Sequence, residues 1–128
     1  MLRKIACGLL FASALFTADT TIASTHVLVP QITISYDFKP GKPEVLENFT
    51  TWTINAECQV SFQDDAEPLH VKVIKGSGEV NGVSVNENGE IDIIVHNMEK
   101  LALKAPSLTS VEFLNNGDHV IHASCRTK

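Results

Sequence analysis

The sequence predicts an all-β protein: an antiparallel β-sandwich of about seven to eight short strands with one buried disulfide. Three observations carry that prediction. Short runs in which apolar and polar residues alternate recur along the chain, separated by Gly, Pro, Asn and Asp at intervals of about ten residues. No segment after residue 23 repeats its apolar residues with the helical period. Two cysteines, Cys58 and Cys125, fall on the apolar register of two such runs.

The N-terminal 23 residues stand apart. Arg3 and Lys4 precede the apolar run IACGLLFASALF, and small and polar residues follow, ending in Thr21-Ile22-Ala23. This is the layout of a secretory signal with cleavage after Ala23. The run is too short to span a bilayer, which takes ~20 apolar residues. Cys7 lies near the start of the run, whereas a lipid-modified cysteine would follow it. Residues 24–128 then form a single domain of 105 residues, enough for one core and without a transmembrane segment. Removing the signal takes away two of the ten basic residues and one of the fifteen acidic ones, leaving a net charge of −6. That balance excludes general nucleic-acid binding, which needs a basic surface.

Taken in order, VLVPQITISYDF supplies the first strand, with Ile32, Ile34, Tyr36 and Phe38 alternating with Thr33, Ser35 and Asp37. Pro30 cannot donate to a ladder, so this strand is expected at a sheet edge. PGKP at 40–43 is a turn, and VLENF leads onward; within it Asn48-Phe49-Thr50 matches an N-glycosylation acceptor. Residues 52–62 form the central strand. Trp52, Ile54, Ala56, Cys58, Val60 and Phe62 should all face the core, against Thr53, Asn55, Glu57, Gln59 and Ser61 on the wet side. QDDAEP reads as a polar connection, LHVKVIK as a strand with Leu69, Val71 and Val73 inward, and VNGVSV as a short strand entered through Asn81-Gly82. In EIDIIVH, Ile91, Ile93 and Val95 share a face, and Ile94 opposite them implies burial on both sides or a bulge. LALKA and VEFL follow as strands. Asn115-Asn116-Gly117-Asp118 then predicts a tight hairpin into HVIHASC, because Asn-Gly tolerates the positive φ of such turns.

Loss of Cys7 with the signal leaves Cys58 and Cys125, which in an oxidising compartment should pair and tie the core strand to the terminal strand. The whole resembles an immunoglobulin-type sandwich in general character. Antibody domains place a tryptophan between their two cysteines and here Trp52 precedes both, so the resemblance implies architecture alone. INAECQVSF also resembles the cysteine-bearing strand of chaperone-usher pilin and coat subunits, but HASCRTK does not supply the C-terminal pairing strand of that group. No family is assigned.

No reaction centre is legible. A Gly-x-Ser-x-Gly elbow is absent and both remaining cysteines are committed to a bridge, so no catalytic residue is expected. Gly76-Ser77-Gly78 precedes no helix and is not a nucleotide loop. Neither a cofactor nor a metal is expected. His119 and His122 point to opposite faces of a strand, and His26, His70 and His96 are scattered. The acidic loops Asp64, Asp65, Glu67 and Asn86, Glu87, Asn88, Glu90 lack the spacing of a calcium loop.

Binding through a surface remains. The candidate residues are those of the wet face, Thr51, Thr53, Asn55, Glu57, Gln59 and Ser61, suited to a glycan or a protein. Lys39, Lys42, Lys72, Lys75, Lys100 and Lys104 are available to an anionic group. The sequence thus leads to an exported, bacterial, periplasmic or secreted, non-enzymatic binding module. Its alternatives are a structural subunit that pairs with a second copy through its first strand, and a metal-binding protein or metal-dependent enzyme.

Overall fold

A computed structural model describes residues 23–128. The expected signal therefore lies outside the described residues, apart from Ala23. Eleven strands make up the fold: β1 (Ser24–Val27), β2 (Thr33–Phe38), β3 (Glu44–Asn48), β4 (Ile54–Ser61), β5 (Ala66–Lys75), β6 (Gly78–Val80), β7 (Val83–Val85), β8 (Glu90–His96), β9 (Lys100–Ala105), β10 (Thr109–Asn115) and β11 (Ile121–Thr127). They form two sheets, ordered β1-β3-β10-β5-β8 and β2-β11-β4-β9-β6-β7. All pairings between these strands are antiparallel except that of β1 with β3. The eight expected runs are all present. The additional strands are β1, β3 and one produced by division of VNGVSV.

Chain order and sheet order are related simply. Each strand lies in the opposite sheet from the one before it, except for the β6–β7 pair. The connections therefore pass over the ends of the sandwich, and the one ladder between successive strands is the β6–β7 hairpin. Asn81 (φ 52°) and Gly82 (φ 81°) form its two-residue loop, both in the left-handed region that such turns require. Asn-Gly thus makes its tight hairpin at 81–82, and the hairpin expected at 115–118 does not exist. There β10 and β11 belong to different sheets, and the buried Asn115 side chain redirects the chain. Its amide donates to the carbonyls of Phe38 and His119, each at 2.7 Å, and its oxygen accepts Gly117 N at 2.8 Å.

The core lies between the sheets. Ile54, Ala56, Cys58 and Val60 of β4 meet Leu69, Val71 and Val73 of β5, with Val111, Phe113, Ile121 and Ala123 around them. Strict alternation on β4, β5 and β11 matches this one-sided burial. Cys58 and Cys125 are bonded and stand directly opposite each other on β4 and β11, so the bridge joins neighbouring strands of one sheet. Both line an apolar cavity of about 30 Å³ in the core.

Two expectations about single residues are corrected, those for Trp52 and Ile94, and the Asn48 motif finds its structural context. Trp52 is not in the core: β4 begins at Ile54, and Trp52 is 57% exposed in the loop before it. Ile94 is neither doubly buried nor at a bulge. It faces solvent on β8, an edge strand, and the register irregularity is at Ser110/Val111 of β10. Asn48 is buried with its amide nitrogen fully engaged, so the Asn48-Phe49-Thr50 sequence is closed to glycosylation in the folded state. The edge expectation for the first strand agrees with the fold: β2 ends the six-stranded sheet.

Candidate functional site

The residues singled out on the central strand separate into two adjoining places. Asn55, Glu57 and Gln59 project from β4 onto the outer face of the six-stranded sheet. Thr51 and Thr53 lie outside the strand, in the loop that carries Trp52.

On the outer face, cross-strand register fixes the neighbours. Glu57 lies between Arg126 and Ala102, Gln59 between Ser124 and Lys100, and Asn55 opposite Lys104. Ser61 opposes His122, which bonds Asp37 at 2.7 Å. Shallow basins of about 220–260 Å³ lie over these rows, one lined by Thr33, Glu57, Gln59, Lys100, Ser124 and Arg126. Of the six lysines considered from the sequence, Lys100 and Lys104 reach this face, where Arg126 and Lys128 join them. Lys104 approaches Glu79 at 3.7 Å. Lys100, Arg126 and Lys128 form no ion pair within 4.0 Å among the described residues. In a chain of negative net charge, this face is locally basic.

The loop end is built differently. Asn48 closes β3, and its side chain makes five hydrogen bonds. Nδ2 donates to the carbonyls of Trp52 (2.9 Å), Ala105 (2.8 Å) and Pro106 (3.2 Å), while Oδ1 accepts Thr50 N (2.8 Å) and Thr50 Oγ1 (2.6 Å). Ser107 Oγ then donates to Thr50 O at 2.6 Å. One buried amide thereby knits loop 49–53 to loop 106–108. Phe49, Trp52 and Leu108 emerge from these loops with more than half of each side chain exposed, Leu108 from a left-handed backbone with φ 58°. Exposed apolar residues on a frame held this firmly are not frayed ends of the fold. The sequence carried the signal in part, since Asn48 and Thr50 have the spacing of an Asx turn, but alternation through Trp52 concealed it.

All five histidines pair with carboxylates: His26 with Glu44, His70 with Asp92 and Glu90, His96 with Glu99, His119 with Glu67, and His122 with Asp37. His70 alone uses both ring nitrogens in this way, with Nδ1 2.7 Å from Asp92 and Nε2 2.7 Å from Glu90. The hydrogen bond to Asp92 raises the His70 pKa above its ordinary value; partial desolvation opposes this and Glu90 reinforces it. Burial likewise raises the pKa of Tyr36, whose hydroxyl is the one buried side-chain polar atom without a hydrogen bond among the described residues. One mixed donor set does form, from Asp64 in the loop before β5, Glu67 on β5 itself and His119 in the β10–β11 connection. No helix among the described residues is long and apolar enough to cross a membrane. Comparison with protein-family models, curated proteins and solved structures finds no match.

Proposed function

We propose that the protein is an exported, non-enzymatic binding module that holds a protein partner against its loop end. Phe49, Trp52 and Leu108 are the apolar anchors, and the polar face bearing Asn55, Glu57 and Gln59 is the adjoining rim. The observation that carries this reading is the position of the single tryptophan. A residue that would bury a large area in the core is instead held 57% exposed by a loop pinned internally through Thr50 and the Trp52 carbonyl. Trp is the residue most enriched among interface hot spots, and a preformed loop avoids the entropy cost of ordering on binding. The anchors are surrounded by Thr50, Thr51, Thr53 and Ser107, which carry no charge and can rim an apolar contact without desolvating an ion. A protein pocket suits this set better than a sugar, since Leu108 has no ring to stack on a pyranose face. Export rests on the N-terminal sequence pattern and fits a buried disulfide between distant positions.

The test compares the wild type with a Phe49→Ser/Trp52→Ser variant on arrays of extracellular proteins and of glycans, after a thermal melt has shown that both are folded. Protein binding that falls at least tenfold in the variant supports the reading. Protein binding equal in both places the site elsewhere, and glycan binding that depends on Trp52 alone replaces the protein with a sugar. A second reading, a structural subunit that pairs through a sheet edge, is favoured by the unpartnered edge of β2. It requires concentration-dependent dimers or polymers in light scattering, where the first reading requires a monomer.

A further inference from the structure

We infer that Asp64, Glu67 and His119 form a binding site for a zinc-class divalent cation. One ligand atom from each lies within 4.8 Å of the others. His119 Nδ1 is 3.1 Å from Glu67 Oε1 and 3.8 Å from Asp64 Oδ2. A tetrahedral ion with bonds of about 2.0–2.2 Å separates its ligands by about 3.4 Å, so the two spacings from His119 need change by only a few tenths of an ångström, and the two carboxylates, within 4.8 Å of each other, close on the ion by side-chain rotation.

The set is more than a group of surface acids. The Glu67 side chain is 5% exposed and is placed by the fold: Oε1 accepts Asp118 N at 3.2 Å and His119 N at 2.9 Å. Its Oε2 has no hydrogen-bond partner among the described residues. Gly117 makes room for the carboxylate, since a Cβ there would lie 2.7 Å from both Glu67 Cδ and Oε2. Asp64 is oriented in turn, with Oδ1 accepting Asp65 N at 2.7 Å and Oδ2 turned towards His119. A largely buried carboxylate, anchored by two backbone amides, thus stands beside an imidazole nitrogen and a second carboxylate oxygen. Imidazole and carboxylate are both zinc ligands, and three protein ligands leave a fourth position for water. Calcium, which takes six to eight oxygens, is poorly served by them. The other four histidines face carboxylates only in pairs or, for His70, through opposite ring nitrogens, so no second such donor set appears among the described residues.

The test is isothermal titration of the purified protein with zinc chloride, with calcium chloride as the comparison. Glu67 is left intact because its carboxylate also holds two backbone amides; Asp64→Asn and His119→Gln are the variants. The expected result is one saturable zinc site per chain, no calcium site at the same concentrations, and at least tenfold weaker zinc binding in each variant. The zinc-free melting temperatures of both should stay near that of the wild type, and His122→Gln should bind as the wild type does. Absence of a saturable zinc site overturns the inference, as does wild-type affinity in either Asp64→Asn or His119→Gln.

Discussion

Removing the Cys58–Cys125 bond should destabilise the domain by about 4 kcal/mol through chain entropy alone. The two positions are 67 residues apart. For a closed loop of that length, the restriction of the unfolded chain amounts to roughly 15 cal/mol/K, or about 4 kcal/mol at 25 °C. A Cys58→Ala/Cys125→Ala variant also deletes two buried sulfurs that line the existing apolar cavity of about 30 Å³. Enlarging that cavity adds about 1 kcal/mol. The total is a large part of the 5–15 kcal/mol by which such domains are stable, and it should lower the melting temperature by about 20–30 °C. Urea unfolding followed by far-ultraviolet circular dichroism is the appropriate assay, because Trp52 is already exposed in the native state and its fluorescence reports little burial. The reasoning fails if the variant and the oxidised wild type differ by less than about 1 kcal/mol. Such a result would mean that β4 and β11 find their register equally well without the bond, or that the unfolded chain is already restricted.

Replacing Gly117 by Ala puts a methyl group 2.7 Å from the Glu67 carboxylate and should cost about 1–3 kcal/mol; combining it with Glu67→Ala should cost less than the two changes summed, a non-additivity that a double-mutant cycle measures. Asn48→Ala removes a buried side chain that makes five hydrogen bonds and should destabilise by about 2–4 kcal/mol, loosening the 49–53 loop so that Trp52 fluorescence anisotropy falls; an unchanged anisotropy would show that the loop keeps its shape without that amide. Because the folded pKa of His70 lies above its unfolded value near 6.5, the protonated contact with Asp92 and Glu90 contributes fully below about pH 6.5 and is lost as the pH rises through the folded value. His70→Gln should therefore cost more at pH 5.5 than at pH 8.5, by up to about 1 kcal/mol given its exposed partners, and equal costs at the two values would refute the coupling. Ile94→Lys, on the outer side of an edge strand, should change stability by no more than about 0.5 kcal/mol; a loss above 1 kcal/mol would show that Ile94 is covered.

Alternation is legible in sequence because a strand has only two faces, and a face that packs on a core must be apolar throughout. That is why the inward residues of β4 from Ile54, of β5 from Leu69 and of β11 from Ile121 were recoverable, as was the pairing of two inward cysteines, whereas Ala66–Pro68 read as connection because the inward residue there is the charged Glu67. β3 was not recoverable for the same reason in reverse: Glu44, Val45, Leu46 and Asn48 are all buried, so the strand has no wet face to mark it. The hairpin was placed wrongly because Asn-Gly states what a backbone tolerates and not which strands it must join. At 81–82 its conformation closes a ladder, whereas at 116–117 the side chains of Asn115 and Glu67 impose a crossing between sheets. Both site features have the same origin. Asp64 and His119 meet only because the β4–β5 and β10–β11 connections come together at one end of the sandwich, and no spacing within either loop encodes that meeting. Trp52 extends the inward pattern of β4 by one step and should on that basis be buried. What prevents it is a single amide four residues earlier, which captures the Trp52 carbonyl and turns the chain before the strand begins. An aromatic residue in a core buries some 150–250 Å², and at 57% exposure Trp52 forgoes a large part of that burial in the folded chain. A sequence that keeps its one tryptophan there, on a loop fixed by five internal hydrogen bonds, leaves that burial to be made against something else.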